Sequence, residues 1–80
     1  MNSEVPSTEN EKRCLALLLR RQKAERSPYV PIQFLKRIPD HKHVLKELYR
    51  KDLVYYYKEE AVGLTEDGKY YALILIQEGY

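Results

Sequence analysis

The sequence predicts a single α+β domain, on three observations. Apolar residues recur at helical spacing over 8–25, 31–37, 40–51 and 65–78. A β-branched and aromatic run at 53–57 and a return at 61–64 stand between the last two helical segments and read as a short hairpin. The length, 80 residues, suits one small core. The expected arrangement is a three-helix core, a two-stranded hairpin and a C-terminal helix. Residues 1–7 are polar, contain Pro6 and read as a disordered leader, so the domain is placed at 8–80.

Thr8 and Glu11 have the spacing of a capping box and open the first helix. Leu15, Leu18, Leu19 and Gln22 share one face of it. Leu17 points the other way, and Cys14 lies to the side. The stretch 27–31, with Pro28 and Pro31, breaks that helix. A short second helix follows with Pro31 in its first turn. It offers Ile32, Leu35 and Ile38 to the core, with Phe34 nearby, and Pro39 ends it.

Asp40 is an N-cap candidate for the third helix. On its wheel His41, Val44, Leu45, Leu48 and Tyr49 form the inward stripe. His43, Lys46, Glu47 and Arg50 form the outward arc, with Lys42 and Lys51 at its flanks. Residues 58–60 are the hairpin tip, and Thr65 caps the last helix. There Gly68, Ala72 and Leu75 share one face, flanked by Tyr71 and Ile76, while Tyr70, Leu73 and Ile74 lie outside it. A continuous apolar run, 70–76, is the one segment that a strand would also explain.

Formal net charge is +2, unevenly spread. Residues 26–53 carry seven basic and three acidic groups, whereas residues 54–80 carry two basic and five acidic ones. The basic excess falls on the third helix and suits a polyanionic partner. No apolar run approaches the ~20 residues of a membrane span, and the N-terminus has neither the basic start nor the apolar stretch of a secretory signal. A cytoplasmic protein without membrane association is expected. The single cysteine, Cys14, reads as a packed free thiol; an intermolecular disulfide or redox role has no other support.

The segments H-V-L-K-E-L-Y-R-K-D-L-V, at 43–54, and V-G-L-T-E-D-G-K-Y-Y-A, at 62–72, carry a family resemblance. They are similar to the x-L-x-x-L-x-x-x-G-L-V and x-L-T-x-x-G-x-x-x-A patterns of MarR-type regulators. They also resemble the N-terminal winged helix of Rio-type kinases and small winged-helix proteins of archaea and their viruses. The resemblance spans about 11–72 and implies a winged helix-turn-helix fold that binds double-stranded DNA with its third helix in the major groove. Asp52 stands where the family has glycine, and aspartate tolerates left-handed backbone. Glu59 and Glu60 make the hairpin tip acidic beside Lys58, which puts a minor-groove contact by the wing in doubt.

On this reading Lys46 and Arg50, with His43 between them, face base edges or nearby phosphates. Lys42, Lys36 and Arg37 are phosphate candidates, Lys51 at the flank of the arc and Lys58 at the wing tip are further DNA-binding candidates, and Glu47 accepts from a cytosine amino group or repels wrong sites. The apolar surplus at Leu17, Tyr70, Leu73 and Ile74 predicts a homodimer through the first and last helices, hence a small dimeric transcriptional regulator. Two other functions fit: a winged-helix module that binds protein, and a single-strand binder stacking bases on its eight tyrosines. His41 and His43 diverge on a helix and have no further ligands near them in sequence, so no metal is expected. No Ser/His/Asp or Cys/His set and no glycine-rich phosphate loop is legible, so neither a cofactor nor an enzyme activity is expected.

Overall fold

A computed structural model of the chain describes residues 4–80. It is a small α+β fold of three helices and a three-stranded antiparallel sheet. Helix α1 spans Glu9–Glu25 and strand β1 spans Val30–Pro31, followed by one 3-10 turn at Ile32–Leu35. Helix α2 covers His41–Arg50, strands β2 and β3 cover Val54–Tyr57 and Ala61–Leu64, and helix α3 covers Glu66–Gln77. The run 70–76 is therefore helical. No helix of the described residues is long and apolar enough to cross a membrane.

Helix α1 is the centre of the molecule. Its middle, from Cys14 to Leu19, is buried at every position, because α2, α3 and the sheet all pack on it. Leu17, expected to project outward for dimerisation, is 8% exposed within the monomer. A helix enclosed on several sides has no free apolar face to offer. Gln22, on the face of Leu15, Leu18 and Leu19, donates from Nε2 to the Pro28 carbonyl at 2.7 Å and holds the turn after α1.

Both threonine caps form. Thr8 Oγ1 accepts from the Glu11 N–H at 3.1 Å, and Thr65 Oγ1 accepts from the Gly68 N–H at 3.0 Å. The expected reciprocal bond to Thr8 is replaced, since Glu11 Oε1 accepts from the Ser7 N–H at 3.0 Å. Asp40 does not cap α2 with its side chain. It adopts φ 56° and turns the chain after Pro39. Asp52 is also left-handed, at φ 63°, a conformation that aspartate tolerates.

The predicted second helix is only the 3-10 turn, because Val30 and Pro31 are drawn into the sheet. Strand order is β1-β3-β2, with Val30 opposite Val62 and Pro31 opposite Ala61. Pro31 has no N–H to give, which an edge strand tolerates. The Ile32 N–H then donates to the Glu60 carbonyl at 2.8 Å and is lost to a helix. Strand β2 pairs with β3 from Val54 opposite Leu64 to Tyr57 opposite Ala61. Leu53, predicted as its first residue, is fully buried just ahead of it.

Gly68 is where α3 meets the Leu53 turn. A Cβ there would collide with the Leu53 carbonyl oxygen, so only glycine permits this approach. Ala72 and Leu75 continue the same buried face of α3.

Candidate nucleic-acid interface

Helix α2 carries the basic face. Val44, Leu45 and Leu48 anchor it in the core, which leaves Lys42, His43, Lys46, Tyr49 and Arg50 exposed and Glu47 half-buried. The helix is therefore amphipathic, with cations on its solvent side. Those cations fall into two flanks with different surroundings.

One flank is open. Lys42, Lys46 and Tyr49 follow one another at helical spacing, and Lys42 and Lys46, with Asp40 and His43, border a shallow hollow that Ile32, Leu45 and Tyr56 line. Tyr49 was assigned to the core stripe, but it sits at the stripe's edge and is 56% exposed. Its ring packs on Tyr56 of β2, with centroids 5.4 Å apart. Burial first, then the neighbouring Tyr49, raises the pKa of the Tyr56 phenol, so it stays a neutral hydroxyl beside the lysines.

The other flank is engaged. Glu47 and Arg50 face the segment that holds Glu4, Val5, Ser7 and Thr8, and His43 lies between the two flanks and borders both hollows. Arg50 Nη1 donates to Glu4 Oε2 at 3.0 Å, and its Nε and Nη2 donate to Glu47 Oε1 at 3.2 and 3.1 Å. The Glu4 N–H donates to the Lys51 carbonyl at 3.3 Å. Two carboxylates thus pair with the Arg50 guanidinium, which remains exposed. Glu4, read as part of a disordered leader, makes these contacts; residues 1–3 of that leader lie outside the described residues.

Lys51 is not a surface phosphate ligand. It follows Val44 by two helical turns and returns to the buried side. Its Nζ donates to Glu11 Oε1 at 2.6 Å and to Ser7 Oγ at 2.8 Å. Burial pushes the Glu11 carboxyl upward, but hydrogen bonds from Lys51 and Ser7 and the Lys51 charge outweigh it, and its pKa is lowered. Sequence reasoning missed this pair. The only signals were a glutamate at an enclosed position of α1 and the spacing of Lys51 from Val44.

The other predicted residues are dispersed. Lys36 is exposed after the 3-10 turn. Arg37 lines a separate groove with Arg13 and Arg20 of α1. Lys58 is exposed at the hairpin tip at φ 54°, its Nζ 5.5 Å from the Tyr57 ring centre. Tyr57 stacks on Tyr29 with centroids 3.8 Å apart, and Tyr55 meets Tyr29 edge-on at 6.4 Å. Tyr55 and Tyr57 thus share one face of β2, and Tyr56 takes the other. On α3, Tyr70 and Leu73 are exposed while Ile74 is half-buried.

Among the described residues no three of His, Cys, Asp and Glu converge as a metal site would need. Cys14 is fully buried. Burial, with a smaller effect from Glu11, pushes its thiol up to about 12, far from reactive thiolate. No protein-family model, curated protein or solved structure matches this chain.

Proposed function

We propose that the chain is a winged helix-turn-helix domain that binds double-stranded DNA through α2, as a homodimeric transcriptional regulator. The observation that carries this reading is the open flank of α2. Lys42 and Lys46 stand exposed with His43 on a helix whose opposite side is fixed in the core. Ten residues make a rod about 15 Å long, which the major groove accepts. Lysines at this spacing reach phosphates or guanine edges without moving the backbone.

The element order supports the fold assignment: α1, the 3-10 turn, α2, a hairpin and α3, with β1 on the free edge of β3. The acidic tip, Glu59 and Glu60, keeps the hairpin from the phosphates, so affinity rests on α2. Tyr70 and Leu73 on α3 are the apolar surface for the second subunit; Leu17 has no part in it. Tyr49 and Tyr56 beside Lys46 favour one other partner, single-stranded nucleic acid with a base on the rings. Titration of labelled duplex and single-stranded oligonucleotides by fluorescence anisotropy tests both readings. Tight, salt-sensitive duplex binding supports the first, and preference for single strands replaces it with the second.

A further inference from the structure

A second cationic surface lies away from α2. A groove of about 510 Å³ runs between α1, the turn at 37–39 and the C-terminal residues 78–80. Ala16, Leu17, Ile38 and Pro39 make its narrow apolar floor. Arg13, Arg20 and Arg37 stand around it. Arg13 is held loosely by Glu9 at 3.6 Å. Among the described residues no carboxylate lies within salt-bridge distance of Arg20 or Arg37. Both are exposed and border the same groove.

We propose that this groove docks an acidic segment of a protein partner. Arg13 and Arg20 are seven residues apart on one face of α1, so their side chains leave the helix about 10 Å apart along its axis. A helical segment with two carboxylates at the same spacing meets both, and Arg37 faces them from the opposite wall. An apolar side chain between the carboxylates covers the floor at Ala16 and Leu17. Guanidinium groups bond carboxylates two-pronged, which gives orientation as well as attraction.

The walls select against a polyphosphate. Glu9 and Glu78 both line the groove, and Tyr80 donates to Glu9 at 2.7 Å. A nucleic-acid backbone, charged at every residue, meets those carboxylates wherever it lies. A peptide places its charges singly, between them. The groove contains no residue of α2, so its occupant and a ligand on α2 do not compete for the same side chains.

The test uses the full chain and a fluorescein-labelled, alanine-rich helical peptide. The peptide carries two glutamates at the spacing of Arg13 and Arg20 with a leucine between them. Saturable binding is expected. Arg20→Glu with Arg37→Glu weakens it by about tenfold or more, because two attractive pairs become repulsive. A peptide with lysines in place of the glutamates shows the reverse preference. Arg20→Gln with Arg37→Gln gives an intermediate loss and serves as a second variant if the charge reversal disturbs folding. Equal binding of a glutamine-for-glutamate peptide, or no saturable binding, overturns the proposal. Duplex DNA binding that falls as much in the Arg20/Arg37 variant as on loss of Lys42 and Lys46 also overturns it, by making the groove a phosphate site. So does a change in sedimentation of the variant, which makes the occupant a second copy.

Discussion

Lys51 Nζ and Glu11 Oε1 form a buried ion pair at 2.6 Å that joins the end of α2 to the first turn of α1. The residues are 6% and 4% exposed. Removing one partner leaves a charge without water or counter-ion. Lys51→Met or Glu11→Leu alone is expected to cost about 3–5 kcal/mol in urea unfolding. The double replacement recovers most of that loss, since a well-packed apolar pair is often as stable as a buried ionic one. Single-variant losses that simply add in the double variant would show that the two residues are not coupled.

The same pair sets an acid limit. Glu11 has a lowered pKa when folded, against an ordinary value of 4.5. Above that value the carboxylate is charged in folded and unfolded chains, and the pair contributes fully. As pH falls below it, the unfolded chain takes up the proton first, and the contribution is lost through the folded pKa. Melting curves should therefore show wild type and Glu11→Gln converging in stability as pH falls from neutral to about 3. A gap that widens on acidification contradicts this linkage.

Gly68→Ala tests the contact between α3 and the Leu53 turn. The new methyl group meets the Leu53 carbonyl, backbone rather than a movable side chain. That carbonyl already accepts from the Thr65 N–H at 3.1 Å. A loss of about 3 kcal/mol is expected, despite alanine's better helix propensity. A more stable variant would mean that α3 does not approach so closely.

Cys14 is expected to be inert while the protein is folded. Its thiol is buried and its pKa stands at about 12, so labelling by a thiol reagent at pH 8 should follow global unfolding. Rapid stoichiometric labelling without denaturant would contradict the buried placement.

Leu73→Glu tests the second-subunit surface. Leu73 is 44% exposed and beside Tyr70 on the outer face of α3, so a charge there leaves the monomer folded. If two subunits meet on this face, sedimentation shifts to monomer and DNA affinity falls by about tenfold or more, because the two half-sites are no longer bound by one linked molecule. Wild type that sediments as a monomer at tens of micromolar removes dimerisation from the account.

The parts legible in the sequence were those with local causes. Leu15, Leu18 and Leu19, then Val44, Leu45 and Leu48, then Gly68, Ala72 and Leu75 are buried where helical spacing put them. Thr8 and Thr65 cap the helices they precede. What stayed hidden depends on the meeting of distant residues. Pro31 reads as a helix start until β3 is there to pair with it. Leu17 reads as surface until three elements surround α1. Lys51 reads as a free cation because Glu11 lies 40 residues away in the chain. Arg50, on the outward arc as predicted, is engaged by Glu4, which nothing local to α2 foretells. Lys42, His43 and Lys46 are exposed as the helical wheel put them, whereas Lys51, at the edge of the same arc, is buried.

Duplex binding across a salt series, for wild type and for Lys42→Ala with Lys46→Ala, tests the central claim most directly. Wild type should bind a labelled duplex with affinity that falls steeply with salt. The double variant should bind more weakly, with a log–log salt slope reduced by about two, one for each phosphate that a lysine no longer neutralises. A double variant with the affinity and salt slope of wild type, or a wild type that binds no duplex at low salt, would contradict recognition of DNA by α2.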